Sequence, residues 1–305
     1  MKESFIDWNP ASKSRELLSI AESVIDRYAA QGYDLTLRQL YYQMVAGGHI
    51  PNNVRQYKNL GNLVNNARLA GLIDWKQIDD RVRVIEQNSH WSGPESILRS
   101  AIYSFYMDHW IDQEWHVELW CEKDAVSNIL QPVCEKHDII FLANRGYSSQ
   151  TAMYKAYKRF RNRIRDGKSV ALIYFGDHDP SGLDMVRDIS DRLAMFLGPD
   201  DNRKMEVDHA ALLREQIEEY NPPENPAKTT DSRYEKYITE HGDSSWELDA
   251  LSPEVLEEIA ESHILNYMDQ SAFDAVDELI EKGKQDLEKA WEKFQQEGDD
   301  DENDQ

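Results

Sequence analysis

The sequence predicts an α/β protein, a mostly parallel sheet flanked by helices and preceded by an all-helical N-terminal domain. Between residues 115 and 196, runs rich in β-branched and aromatic residues alternate with helical stretches. That alternation needs crossover connections between parallel strands. Residues 12–70 instead carry apolar side chains at helical spacing, as a small helical domain does. No internal repeat is visible.

The first helix is expected over 12–31, where Leu17, Leu18, Ala21, Val24, Ile25 and Tyr28 share a face and Gly32 stops it. Thr36 is a good N-cap for a second helix, which runs to Gly47-Gly48. A third, over 57–70, turns Leu60, Leu63, Val64 and Ala67 inward and ends at Gly71. Residues 81–85, Arg-Val-Arg-Val-Ile, look like a short strand. Three helices and a small hairpin make the layout of a winged helix, whose last helix usually enters a DNA groove. A linking helix is expected over 95–109. Strands then fall at 115–121, 138–142 and 169–175, with helices at 125–136, 148–166 and 182–196 between and after them. Pro222, Pro223 and Pro226 mark a non-helical crossing segment, and helices at 253–268 and 271–296 close the chain. The expected domains are 1–93, 94–245 and an acidic helical segment, 246–305.

A net charge of −23 looks hostile to a polyanion, but its distribution is uneven. Residues 246–305 alone carry a net −16 and finish in an acidic run from Glu297 that is expected to be disordered. Residues 38–73 hold four bases and no acid, and residues 143–165 hold seven bases and no acid. Local potential governs where a phosphate backbone docks, so the acidic sum does not exclude nucleic acid. Lys58, Arg68, Arg145, Lys155, Lys158 and Arg159 are the candidate DNA contacts. No apolar run approaches the roughly 18–20 residues that span a bilayer. The first residues are acidic where a signal peptide is basic and then apolar. Cys121 and Cys134 lie in apolar segments without zinc spacing and suit buried thiols. The expected location is cytoplasmic, with no membrane partner.

The chemistry-bearing residues follow two apolar strands. After 169–175 comes Gly176-Asp177-His178-Asp179-Pro180-Ser181-Gly182. Ligands of open α/β sheets sit at the carboxyl ends of strands. Alternate residues of an extended chain share a side, so Asp177 and Asp179 are expected to converge on one hard cation. Mg²⁺ needs only a few carboxylates, completed by water and phosphate oxygens. The strand 117–121 ends in Glu122-Lys123-Asp124-Ala125, and Glu122 would be the third carboxylate, as ligand or general acid/base. Glu118 alternates onto the same side as a reserve acid, and His178 points away. A solvated turn is the plainer explanation of Asp-x-Asp alone; the pairing with Glu122 favours a site.

In order, strand-Glu122-Lys123-Asp124-Ala125, Arg145-Gly146-Tyr147 and Asp177-x-Asp179-Pro180-x-Gly182 resemble the Toprim domain of the topoisomerase VI A subunit and of the related transesterase that opens meiotic double-strand breaks. Upstream, Arg38-Gln39-Leu40-Tyr41-Tyr42 is similar to that family's Arg-x-x-Tyr-Tyr signature in a CAP-like winged helix. The resemblance covers residues 36–190 and is nearest to compact, stand-alone phage- and plasmid-type relatives. It implies that Glu122, Asp177 and Asp179 bind Mg²⁺ and that Tyr42 is the nucleophile, with Arg38 favouring the phenolate or holding the scissile phosphate. It further implies double-stranded DNA as substrate and a homodimer in which the tyrosine of one protomer meets the metal of the other. A separate ATPase subunit would be needed for strand passage, since the chain carries no ATP-site motif. Two other functions fit the same residues: a Toprim-type nuclease that activates water, and a DNA-binding or regulatory module without turnover.

Overall fold

The computed structural model describes residues 2, 4–78 and 90–303. The chain divides into two compact units, Met1–Val82 with His116–Tyr267, and Arg83–Trp115 with Met268–Gln305. The boundaries expected at 93/94 and 245/246 do not coincide with them. Residues 246–267 belong with the sheet, and the linking helix belongs with the C-terminal one.

In the first unit, α1 (Ser12–Ala29), α2 (Leu37–Ala46) and α3 (Val54–Leu69) form as the apolar spacing dictates. Thr36 and Gln39 cap α2 reciprocally, satisfying N–H groups that the first helical turn leaves unpaired. The three helices enclose a core of Leu18, Ile25, Leu40, Met44, Leu60 and Ala67. The short strand expected over 81–85 lies outside the described residues, so the fold described for this region is a three-helix one.

The second unit begins with α4 (Pro94–Tyr103), shorter than expected. The sheet follows in the first unit: β1 (Trp115–Cys121), α5 (Ser127–Lys136), β2 (Ile140–Ala143), α6 (Gln150–Arg165), β3 (Ser169–Phe175), α7 (Pro180–Asn202) and β4 (Met205–Ala211). Its four strands are all parallel, in the order β2-β1-β3-β4. The expected α/β class is therefore found. β4 is an addition: Glu206, Asp208 and His209 break up the apolar pattern, which an edge strand tolerates because part of it meets solvent. On one face, Trp120, Val170, Leu172 and Tyr174 pack with Met153, Phe160, Met185, Ile189 and Leu193 of α6 and α7. The alternate residues Leu119, Ala171 and Ile173 are fully buried on the opposite face.

Beyond the sheet come α8 (Arg214–Tyr220), β5 (Asn225–Pro226), α9 (Tyr234–His241), β6 (Ser244–Ser245) and α10 (Pro253–Leu265). β5 and β6 pair antiparallel, so the proline-rich segment is ordered. In the second unit α11 (Gln270–Asn303) is one long helix, and its backbone continues through residues expected to be disordered. There His109 stacks on Phe273 at 4.3 Å and bonds Asp277 at 2.9 Å. Among the described residues, no helix is long and apolar enough to cross a membrane.

Candidate metal and catalytic site

β1 and β3 are neighbours in the centre of the sheet, so their carboxyl ends present Glu122 and Asp177 side by side. The Glu122 N–H donates to Phe175 O at 2.8 Å, and Glu122 Oε2 accepts the Asp177 N–H at 2.9 Å. Asp179 opens α7: its Oδ1 accepts from the N–H groups of Ser181 (2.9 Å) and Gly182 (2.7 Å), as an N-cap does. Its other oxygen lies 3.2 Å from Lys228 Nζ. Gly182 is required here, because a Cβ on it would stand 2.1 Å from Asp177 O.

A segment remote in sequence completes the site. His178 and Trp246 exchange backbone hydrogen bonds of 2.9 and 3.0 Å, and Tyr237 Oη donates to His178 O and Ser244 O. This straps residues 244–250 across the strand ends. Leu248 N–H then donates to Asp177 Oδ1 at 2.8 Å, and the one-turn 3₁₀ helix Leu248–Ala250 brings Glu247 and Asp249 alongside. Asp177, Glu247 and Asp249 each offer an oxygen within 4.8 Å of the others. They form a buried acidic cluster able to hold a metal ion.

This cluster differs from the expected trio. Asp177 belongs to both, whereas Glu122 is tied to the Asp177 backbone and Asp179 is used as a helix cap. The expectation took 177–179 as extended and ended by Pro180, and Asp179 is extended there, but as the N-cap of α7 it turns one carboxylate oxygen to that helix's first turn. Glu247 and Asp249 were missed because they sit in a segment whose acidity looked like a solvated tail. Their Glu-x-Asp spacing, repeating that of Asp177-x-Asp179, was the available signal.

The cluster is held by cations from the protein. Lys123 Nζ lies 2.8 Å from Asp177, 2.5 Å from Glu247 and 3.1 Å from Asp249. Arg38 reaches in from α2, pairing with Glu247 and placing Nε 2.6 Å from Asp249 Oδ2. That contact lacks hydrogen-bond alignment, leaving Asp249 Oδ2 buried with an ion pair but no hydrogen bond. Burial pushes Asp177 up to about 8, with Glu122, Asp249 and Glu247 adding to the rise and Lys123 opposing it. Burial also raises Glu122. For Glu247, burial is outweighed by Lys123 and Arg38, and its carboxyl is held below the usual range. Asp179 is likewise lowered, the Gly182 N–H, Ser181 and Lys228 overcoming its burial.

Tyr42 borders the same region. Its hydroxyl accepts weakly from Asn225 Nδ2 at 3.5 Å, and the Arg38 guanidinium lies 5.7 Å from its ring centre. Burial, then Glu247 and Asp249, push its phenol up to about 12. Tyr41 is fixed by Asn53 N–H (2.7 Å) and by its own donation to Asn52 Oδ1 (2.9 Å). Arg38, Tyr42, Lys228 and Glu247 line one cleft of about 500 Å³.

The expected DNA contacts separate into two groups. Lys58, Lys155 and Lys158 are exposed, and Arg145 is exposed while pairing with Asp124 at 3.1 Å. Arg68 bonds Trp75 O and covers its ring. Both nitrogens of the Arg159 fork lie 2.8 Å from Glu118, which is fully buried and also bonded by Trp120 and His116. Glu118 therefore anchors the sheet and does not face the site. A scan of protein-family models and searches of curated proteins and of solved structures each found no match.

Proposed function

We propose that the chain is a Mg²⁺-dependent, DNA-cleaving tyrosyl transesterase resembling the topoisomerase VI A subunit, with Tyr42 as nucleophile. One observation carries this: Tyr42 and Arg38 share a cleft with Glu247, next to the carboxylates at the ends of β1 and β3. The fold supports it too, since Glu122 and Asp177 end adjacent central strands of a parallel sheet, as the Toprim resemblance requires.

The donor set fits a small hard cation. Glu122, Asp177, Asp179, Glu247 and Asp249 outnumber Arg38, Lys123 and Lys228 by two charges when all are ionised. Every acid offers oxygen, the ligand Mg²⁺ prefers. Asp177, Glu247 and Asp249 would hold the ion, with Glu122 beside them, and the Lys123 ammonium would move aside. When bound, Mg²⁺ would neutralise the phosphate and stabilise the departing oxygen.

The protein's own groups supply the rest. Attack by Tyr42 Oη forms the tyrosyl–phosphorus bond and breaks the bond from phosphorus to the 3′ oxygen. The phenol proton passes to a cluster carboxylate and a proton is returned to the 3′ oxygen, leaving a 5′-phosphotyrosyl end. Arg38 and Lys228 hold the phosphate. A homodimer, as the resemblance implies, would cut both strands, one at each Tyr42. An ATPase partner is a separate requirement of strand passage.

A second possibility is a nuclease in which the same acids activate water and Tyr42 is idle, its hydroxyl buried and met by Asn225 Nδ2 at 3.5 Å. Incubation with supercoiled plasmid and Mg²⁺, followed by denaturation, distinguishes the two. Protein bound to 5′ ends, and lost in Tyr42→Phe, supports the transesterase. Free ends unaffected by Tyr42→Phe support the nuclease. Plasmid left intact supports a non-catalytic DNA-binding module.

A further inference from the structure

Arg38 faces two ways. It lines the cleft beside Tyr42 together with Lys228 and Glu247, its guanidinium 5.7 Å from the Tyr42 ring centre. It also pairs with Glu247 and Asp249, two of the three carboxylates able to hold a metal ion. The contact to Asp249 is one of charge alone: Nε lies 2.6 Å from Oδ2, and both atoms are buried without a hydrogen bond. Asp249 Oδ2 thus keeps lone pairs that an oxygen-seeking cation could use, and Arg38 stands against them.

With all three acids ionised, Lys123 and Arg38 leave the cluster one negative charge. A divalent ion would leave it one positive, so one protein cation becomes surplus, and a buried uncompensated charge is costly. Lys123 reaches all three acids and its side chain is 18% exposed. That of Arg38 reaches two and is 40% exposed, beside the open cleft. Arg38 is therefore the cation that can leave. The backbone need not move for it to do so. Ala250 belongs to the same core as Leu40 and Met44, so the segment bearing Glu247 and Asp249 is packed on the helical core and only a side chain has to turn.

We infer that Arg38 and Mg²⁺ compete for Glu247 and Asp249, and that Arg38, displaced by the ion, turns into the cleft to take the DNA phosphate beside Tyr42. A phosphate satisfies the guanidinium with bidentate hydrogen bonds, which the Asp249 contact lacks. The hold of Arg38 on substrate is thereby conditional on the metal. By linkage, a phosphate that draws Arg38 away eases entry of the ion by the same factor. This regulation rests on the DNA-cleaving function proposed above.

The test uses the full chain. Isothermal titration of Mg²⁺ into the wild type, Arg38→Gln and Lys228→Gln separates competition from simple charge, since each variant removes one cation beside the acids. Arg38→Gln should bind the ion at least about fivefold tighter than the wild type, and Lys228→Gln within about twofold of it. Fluorescence anisotropy of a labelled duplex follows, with Tyr42→Phe throughout so that no strand is cut. Adding Arg38→Gln should weaken binding about tenfold in Mg²⁺ and less than about twofold in EDTA. In the wild type, the Arg38 Nε–H resonance, assigned from its loss in Arg38→Lys, should shift along the same Mg²⁺ saturation curve, a readout that stands even if Arg38→Gln folds poorly. Unchanged Mg²⁺ affinity in Arg38→Gln, an equal gain in Lys228→Gln, a DNA penalty independent of Mg²⁺, or an Arg38 resonance unmoved by the ion overturns this inference and leaves the metal site and DNA cleavage standing. A wild type that takes up no Mg²⁺, or binds no duplex, overturns both.

Discussion

Lys123 is the residue on which the acidic cluster depends. Its ammonium touches all three carboxylates, and burial alone would lower its proton affinity; Asp249, Asp177 and Glu247 raise it instead. Removing one partner from a buried ion-pair network leaves uncompensated charge, typically at a cost of about 3–5 kcal/mol. Lys123→Met should therefore lower stability in urea by about that much, and Mg²⁺ should restore more of it than it adds to the wild type. Equal Mg²⁺ effects on both would contradict the cluster's role. Glu118 gives a pH-dependent counterpart. Burial would raise its carboxyl, but Arg159, His116 and Trp120 hold it below the usual range. A depressed folded value stabilises above the unfolded value of about 4.3, and is lost as pH falls through the folded one. Glu118→Gln should cost about 1–3 kcal/mol at pH 7, discounted for the partial exposure of Arg159, and the gap should narrow near pH 3. Urea melts at both pH values check it. At this scale the sequence was half legible. Glu122 and Asp177 could be found because apolar strands run into them. Glu247 and Asp249 could not, because only tertiary strapping through His178 and Trp246 carries them there. Nor can spacing on α6 tell that Arg159 turns toward a buried acid while Lys158 meets water.

Among elements, the turn from β3 into α7 matters most. Asp179 caps, Pro180 sits at the first helical position and Gly182 lets the helix approach the Asp177 backbone. Alanine in a helix ordinarily gains about 1 kcal/mol over glycine. At Gly182 the new methyl would meet a backbone oxygen at 2.1 Å, which no side-chain rotation relieves. Gly182→Ala should be destabilising and should abolish metal binding while the far-ultraviolet circular dichroism stays helical; retained metal binding would show that this turn does not position Asp177. The sequence made this turn visible through its Pro and Gly, as it did β1 and β3 through their unbroken apolar character. It hid β4, whose acidic and histidine residues belong to an edge.

For the molecule as a whole, composition was a poor guide to organisation. The concentration of acid after residue 245 suggested a domain boundary, yet the chain returns there to the sheet and donates two carboxylates before entering α11. The acidic cluster lies within one compact unit. Isothermal titration of Mg²⁺ into the wild type, Asp177→Asn, Asp249→Asn and Lys58→Ala tests its metal binding most directly. Saturable uptake is expected in the wild type and in Lys58→Ala, and should be lost in both carboxylate variants. No uptake by the wild type, or uptake unchanged by Asp177→Asn and Asp249→Asn, would contradict a metal site at the ends of β1 and β3.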